Sequence, residues 1–216
     1  MDKFSPEQIA IASILPILFA VTFHEVAHGW VARLCGDDTA KRMGRLSLNP
    51  INHIDLLGTI LLPAILMLTN SGFIFGWAKP VPVTASRLNN PRRDMILVAL
   101  AGPGANLLMA LFWALVARST ELMDANQFSD PLALMSARGI IFNIVLAVFN
   151  LVPIPPLDGG RVMLEVLPYN MARTYSQIEP YGFYILLALM ITGIINVFIG
   201  IPMIFLRAIF FGIAGY

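Results

Sequence analysis

Charged side chains are scarce in this sequence, where Asp, Glu, Lys and Arg together make up 12% of 216 residues. Hydrophobic residues make up 57%, and the mean hydropathy is +0.75. A water-soluble domain of this length would expose a large apolar surface with such a composition. We therefore predict an integral membrane protein whose surroundings are the lipid bilayer.

Basic tracts and cysteines are also lacking. The formal net charge is +1, and no long run of Lys or Arg occurs. Because binding to nucleic-acid phosphates requires a concentrated basic patch, the sequence argues against a nucleic-acid partner. Cys35 is the single cysteine, which excludes an intramolecular disulfide.

Apolar runs define the expected architecture, since about 20 residues are needed to cross roughly 30 Å of hydrocarbon. Long runs predict membrane helices near 7–35, 93–118, 133–153 and 181–199. Two shorter runs, 54–70 and 200–214, are interrupted or bounded by proline. We expect an all-α polytopic helical bundle with about five to six membrane segments, in which 54–70 is a re-entrant or half-depth element. No net-positive region precedes the first run, so we interpret it as a retained helix.

The stretch VTFHEVAHGW at 21–30 places three ionisable side chains in the first apolar run. His24 and His28 share one face of a helix, where both imidazoles can hold one metal ion. Glu25 lies roughly 100° around the helix, where its carboxylate can reach a water on the metal. The alternative is a pair of histidines hydrogen-bonded inside the bundle, which would leave costly polar groups in the membrane without a metal. The pattern favours a zinc site.

A third ligand is needed, because a catalytic zinc ion keeps three protein ligands and one open position. Asp158, in FNLVPIPPLDGGRV at 149–162, is the best candidate. The prolines before it remove backbone donors and end the preceding helix, which a protein-lined, hydrated cavity tolerates. The alternative is an ordinary turn in which Asp158 caps the next helix. His53 is a weaker candidate for a fourth ligand, with a helix-terminus contact as its alternative.

Three motifs carry a family resemblance. HEVAH at 24–28, AGPGAN at 101–106 and NLVPIPPLDGG at 150–160 resemble the hallmarks of the site-2 protease family of intramembrane zinc metalloproteases, in the family's order. The stretches at 44–59 and 75–83 resemble its short prokaryotic branch. No inserted PDZ-like or CBS-like module is visible, so regulation through such a module is not implied.

The resemblance implies a site and an activity. His24, His28 and Asp158 would bind one Zn²⁺ per chain, and Glu25 would be the catalytic acid–base. The implied protein is an intramembrane zinc endopeptidase that cleaves within or beside the transmembrane segments of other membrane proteins, in regulated intramembrane proteolysis. A membrane metal-ion transporter and a non-catalytic metal-binding membrane protein are the alternatives. Further ligands on other helices would favour the transporter, and Glu25 argues against the non-catalytic protein.

The same resemblance implies one intramembrane metalloprotease domain over residues 1–216. Its catalytic core would span about 7–165, and further membrane segments would span about 181–214.

Two asparagines lie within apolar helices. Asn106 and Asn150 are the polar groups that could donate a hydrogen bond to the oxyanion formed during peptide hydrolysis. The alternative for both is a hydrogen bond between helices, supported near Asn106 by the small residues Gly102, Gly104 and Ala105. Both interpretations stay open at this point.

The segment FGWAKPVPV predicts a short β element near 73–84. Successive N–H groups of a strand point to opposite edges, so Pro80 and Pro82 would leave one edge without donors while Val81 and Val83 offer them at the other. We hypothesise that this edge pairs with an unwound substrate strand. The alternative is a rigid surface loop anchored at the membrane interface.

Membrane topology follows from the ligand positions. His28 and Asp158 lie toward the ends of two helices that must be parallel for the ligands to meet, which requires that 54–70 not cross. The basic loops 36–53 and 71–93 then share one side, opposite the acidic loop 119–131. The positive-inside rule makes the basic side cytoplasmic. We expect the N-terminus outside, the active site toward the cytoplasm, and a prokaryotic inner or plasma membrane.

Overall fold

The computed structural model describes residues 4–69, 76–121, 123 and 128–216. Within these ranges it contains α-helices and short helical turns, and no strand. The predicted all-α class is therefore confirmed. In chain order the α-helices are α1 (Pro6–Leu34), α2 (Thr39–Arg42), α3 (Leu62–Leu68), α4 (Pro91–Thr120), α5 (Ser129–Asn150), α6 (Asp158–Val166), α7 (Tyr169–Ser176), α8 (Gly182–Ile191) and α9 (Ile195–Ala214).

Four of the described helices, α1, α4, α5 and α9, are long and apolar enough to cross a membrane. The chain is an integral, multi-pass membrane protein. Helices α1, α4 and α5 pack against one another, and α9 packs against α4 and α5. Small alanines on α4 allow close approach, and the interhelical core centres on Trp113, Ile140, Ile144 and Phe210.

Helix α1 begins with a complete capping box. The Gln8 N–H donates to the Ser5 hydroxyl, and the Ser5 N–H donates to the Gln8 side chain. Pro6 occupies the first turn, where its missing N–H costs nothing. The helix then continues without a break through the HEVAH motif, so the predicted helical spacing of the two histidines is present.

The predicted half-depth element consists of a six-residue π-helix, Leu56–Leu61, followed directly by the seven-residue α3. Asp55 begins it, because its carboxylate accepts from the N–H groups of Leu57 and Gly58. The two pieces together span about 20 Å, less than the roughly 30 Å of a bilayer core. This length agrees with the predicted element.

The predicted C-terminal boundaries are wrong. One helix was expected near 181–199, but α8 ends at Ile191 and the spanning helix α9 begins at Ile195. Gly193 separates them in the left-handed region at φ 73°, a conformation that glycine adopts without a side-chain clash. Pro202 was expected to mark a boundary, yet it lies inside α9. A continuous apolar run hides such a break, and membrane helices tolerate an internal proline.

The predicted β element is wrong for residues 76–84, while residues 73–75 lie outside the described ranges. The N–H of Trp77 donates to the Gly58 carbonyl, and the N–H of Lys79 donates to the His53 carbonyl. The Val81 N–H donates to the Glu25 carboxylate instead of to another backbone group. These contacts hold the segment as a loop against the start of the half-depth element, as in the alternative of a rigid loop.

Candidate metal centre

Three buried side chains converge between α1 and the start of α6. The Nε2 atoms of His24 and His28 lie 3.1 Å apart, and each lies close to Asp158 Oδ2, at 3.2 Å and 3.3 Å respectively. Among the described residues, this is the group of histidine, cysteine and acidic side chains whose ligand atoms gather closely enough to hold a metal ion. The site therefore joins α1 to the start of α6, the helix that follows α5.

The spacing of these atoms fits a zinc ion. A tetrahedral site with zinc–ligand bonds of about 2.0–2.1 Å has ligand atoms about 3.3 Å apart, close to the three observed separations. Asp158 Oδ2 is buried and has no hydrogen-bond partner, although both imidazole nitrogens are near it. Two imidazoles and one carboxylate are a donor set typical of catalytic zinc, and they leave one position for water.

The Nδ1 atoms of both imidazoles make hydrogen bonds to α4, which leaves the Nε2 atoms available to bind a metal ion. His28 Nδ1 lies 2.7 Å from the Val98 carbonyl oxygen, and because a carbonyl only accepts, Nδ1 donates. His24 Nδ1 lies 2.7 Å from Asn106 Oδ1. With the proton on Nδ1, a neutral imidazole presents the Nε2 lone pair to a cation. Helix α4 thus orients both histidines of α1.

Gly102 of α4 provides the space that the imidazoles occupy. A Cβ built at this residue would lie 2.6 Å from Cε1 of both His24 and His28, and even closer to His28 Nε2. This contact explains why the second motif carries glycine beside the ligands. Gly104, two residues further along α4, has nothing within 4 Å of such a Cβ.

Glu25 follows His24 on α1 and is half-buried. Its Oε2 accepts a hydrogen bond from the Val81 N–H at 2.8 Å. Val81 is itself buried, so the loop fixes one oxygen of this carboxylate. The guanidinium of Arg45 donates to the carbonyls of Asn52, Lys79 and Pro80 and ties this loop in place.

Helix α6 brings the third ligand to the site. Asp158 is its first residue, directly after the proline-rich segment that follows α5. A Cβ at Gly159 would lie 2.6 Å from the Val152 carbonyl oxygen, so glycine permits the tight return of the chain. At the other end of α6, Arg92 of α4 donates to the carbonyls of Glu165 and Leu167, both at 2.6 Å.

The other predicted site residues lie in different surroundings. Both amide hydrogens of Asn106 are used, by the Ala20 carbonyl and by Asn143 Oδ1, which favours the interhelical alternative over oxyanion binding. Asn150 donates to the Leu146 carbonyl of its own helix. His53 donates through Nε2 to the Ser47 carbonyl and does not belong to the ligand group. This arrangement favours a structural contact for His53.

Asn143 is a site residue that sequence reasoning missed. It is fully buried on α5 and contacts Asn106 behind His24. The available signal was a third polar residue inside an apolar helix, seven residues before Asn150.

Asp37, just after α1, anchors the far end of the loop that carries Val81. The Thr84 N–H donates to Asp37 Oδ2 at 2.6 Å, and the N–H and hydroxyl of Thr39 donate to Oδ1. Burial alone would raise the pKa of Asp37, but these hydrogen bonds outweigh it and lower the pKa below the usual value.

Asp37→Asn is expected to lower the free energy of unfolding by about 1–3 kcal/mol near pH 7, because the amide leaves a buried donor without an acceptor. The pKa of Asp37 is lower in the folded state, so its contribution is complete above the unfolded value near 3.9 and is lost as the pH falls through the folded pKa. Thermal unfolding in detergent across this range measures the effect. The exposed Glu179 provides the control, Glu179→Gln. A difference that does not shrink toward low pH would contradict the prediction.

The fold and the site define a polytopic membrane protein whose packed helices carry a buried cluster of three side chains that could hold a metal ion. Residues 12–127 and 120–193 match peptidase family M50, and the chain belongs to this family. The predicted membership of the site-2 protease family is thereby confirmed, and the protein is a zinc metallopeptidase.

Relatives in three organisms share most of this chain. It is 41% identical to "Putative zinc metalloprotease YwhC" of Bacillus subtilis, over 89% of this chain and 86% of that protein. It is 30% identical to "Putative zinc metalloprotease Rip2" of Mycolicibacterium smegmatis, over 83% and 66%. It is 21% identical to "Zinc metalloprotease MJ0392" of Methanocaldococcus jannaschii, over 86% and 44%. No solved structure matches the chain.

Proposed function

We propose that this protein is an intramembrane zinc endopeptidase that hydrolyses peptide bonds within or beside the transmembrane segments of other membrane proteins, in regulated intramembrane proteolysis. The observation that carries the proposal is the meeting of His24, His28 and Asp158 on helices packed in a membrane bundle. Glu25 stands next to the first ligand, where an acid–base is required.

In this proposal three side chains bind the metal and a fourth transfers protons. His24 Nε2, His28 Nε2 and one oxygen of Asp158 hold one zinc ion per chain. When bound, zinc supplies Lewis acidity, which lowers the pKa of water toward about 7 and polarises a peptide carbonyl. Glu25 accepts the proton of the attacking water and later donates it to the departing amine. The Val81 N–H orients the carboxylate for both transfers.

The substrate must reach the site in an extended form, because a helix keeps its carbonyls in internal hydrogen bonds. The Val83 N–H has no hydrogen-bond partner within the part of the chain that the structure describes. It remains the proposed pairing point for an unwound substrate, while Val81 serves Glu25. Asn150 remains the proposed oxyanion donor, and Asn106 is assigned to holding His24.

The proposed domain is the whole of residues 1–216, with the catalytic core at about 7–165 and the C-terminal membrane segments at about 181–214. The end of α1 and the start of α4 meet at the site, where His28 contacts Val98. This side carries the basic loops, so we place the active site toward the cytoplasm of a prokaryotic inner or plasma membrane.

Bacterial inner-membrane vesicles provide the test of the proposed function, since they contain many transmembrane segments. After incubation with the purified protein, new protein N-termini are expected within or beside those segments. They should disappear with 1,10-phenanthroline and return on addition of zinc. New termini confined to soluble domains would contradict the proposal.

Two variants make this test specific to the ligand set. Asp158→Ala is expected to weaken zinc binding by at least about 100-fold, because it removes a ligand rather than an outer-shell partner, and to abolish the new termini. Glu7, which is exposed in the first turn of α1, provides the control, Glu7→Ala, with unchanged zinc content and cleavage. Full zinc content in Asp158→Ala would refute the ligand assignment, and zinc flux into proteoliposomes without cleavage would favour a transporter.

A further inference from the structure

We infer that Asn143, which lies outside the three motifs, is a positioning residue that holds the His24 imidazole in its metal-binding tautomer by acting through Asn106. This inference rests on the proposed function, because it concerns a ligand of the proposed zinc site. It is carried by an unbroken series of buried hydrogen bonds from α5 through α4 to α1.

The series begins at a backbone carbonyl of α5. Asn143 Nδ2 donates to the Gly139 carbonyl oxygen at 2.8 Å. A carbonyl accepts and never donates, so this contact decides which end of the Asn143 amide is nitrogen. The Oδ1 atom of Asn143 must then face Asn106.

The orientation of the second amide follows from the first. Asn106 Nδ2 donates to Asn143 Oδ1 at 2.9 Å and to the Ala20 carbonyl at 3.0 Å. Both partners are acceptors, so both amide hydrogens of Asn106 are engaged. Its Oδ1 is thereby turned toward His24 Nδ1, 2.7 Å away, and the imidazole must donate from Nδ1.

The contact at Nδ1 determines whether the opposite ring nitrogen of His24, Nε2, can bind a cation. With its proton on Nδ1, a neutral His24 presents a lone pair at Nε2 toward Asp158 and His28. An inverted Asn106 amide would offer a donor to Nδ1 and favour the proton on Nε2, where it would block a cation. In the wild-type protein, inversion would also place Asn106 Oδ1 against the Ala20 carbonyl oxygen and Asn143 Oδ1, where acceptors repel one another.

Burial strengthens the preference of the Asn106 amide for this orientation. Asn106 and Asn143 are both 0% exposed, so no bulk water can replace a lost partner, and unpaired polar groups are costly in such surroundings. His28 needs no such series, because the Val98 carbonyl sets its tautomer directly. Of the two imidazoles in the cluster, that of His24 depends on the orientation of a side-chain amide. Without Asn143, this amide would keep its hydrogen bond to the Ala20 carbonyl but lose the other.

The first measurement is the zinc affinity of the full-length protein in detergent, obtained by competition with a chromogenic chelator. Asn143→Leu keeps a similar volume and removes the amide, and we expect its zinc affinity to fall by about 10–100-fold. Ser136 offers a matched control on the same helix, because it is fully buried and donates only to the Leu132 carbonyl. Ser136→Ala should keep wild-type zinc affinity.

The second measurement separates positioning from a general loss of stability. If Asn143 acts through Asn106, adding Asn143→Leu to Asn106→Ala should weaken zinc binding no further, whereas independent effects would multiply. Nitrogen-15 NMR of labelled imidazoles in the zinc-free protein should show one ring moving toward the Nε2–H tautomer in Asn143→Leu. A purely structural role would lower the thermal stability without changing the tautomer.

Unchanged zinc affinity in Asn143→Leu would overturn the inference. So would an equal decrease in zinc affinity when Asn143→Leu is introduced into the wild-type protein and into Asn106→Ala. If Asn143→Leu does not fold, Asn143→Ala takes its place in both measurements under the same criteria. Failure of the proposed function is recognised separately, because His24→Ala and Asp158→Ala would then retain zinc. Loss of zinc in those variants with no effect at Asn143 would refute this inference alone.

Discussion

Glu25→Gln is expected to lower the cleavage rate by at least about 10²–10⁴-fold, the usual contribution of a general acid–base, while the zinc content stays at the wild-type level. Glutamine has the shape of glutamate but cannot take the proton of the attacking water. Its amide oxygen can still accept from the Val81 N–H, so the loop keeps its place. Zinc is retained because Glu25 does not belong to the ligand group.

The measurement pairs cleavage of membrane-protein segments in vesicles with zinc content by atomic absorption. Glu7 is exposed in the first turn of α1, on the same helix as Glu25 but outside the motif, which makes Glu7→Gln a suitable control with wild-type values in both assays. Wild-type cleavage by Glu25→Gln would disprove the assigned acid–base. Loss of zinc in this variant would instead mean that Glu25 is a ligand.

Gly102→Ala is expected to weaken zinc binding by about 5–150-fold, the equivalent of the roughly 1–3 kcal/mol that overpacking costs. The added methyl group would lie 2.6 Å from Cε1 of both imidazoles, so at least one ring must leave its position. Helix α4 cannot easily retreat, because it packs against both α1 and α5. Cleavage should fall together with the zinc content.

Gly104 supplies the matched control, since it lies on the same helix and in the same motif, with nothing within 4 Å of the position that a Cβ would take. Gly104→Ala should keep the zinc affinity and the cleavage of the wild-type protein. Competition with a chelator and the vesicle assay measure both variants. Equal zinc affinities for the two alanine variants would show that the space beside the imidazoles is not needed.

The candidate metal site shows which contacts can be predicted from the sequence. The spacing of His24 and His28 sets their common face through the geometry of one helix, which is local information. Asp158 lies far along the chain, and its selection depended on the proline break and on the family resemblance. The structure brings its carboxylate within 3.3 Å of both imidazoles, a meeting that depends on the packing of α6 against α4.

The predictions that failed concern contacts and breaks that composition does not reveal. Residues 76–84 carry the alternating prolines expected of a strand edge, yet their donors bond to the half-depth element and to Glu25. The apolar run from 181 onward hides the break at Gly193, because apolar residues on both sides of it predict one continuous helix. In each case a particular tertiary partner or a single backbone angle decided the outcome.

By itself, the sequence determined the membrane environment, the helical class, the pairing of the two histidines and the family, since apolar length and helical periodicity are local properties. Only the tertiary structure decided which side chains surround the ligands. Gly102 and Asn106 lie on α4, Asn143 on α5 and Val81 in the loop at 76–84. Their roles arise where buried donors, acceptors and space must match between these segments. Such matching depends on packing in three dimensions, which residue spacing along one helix cannot specify.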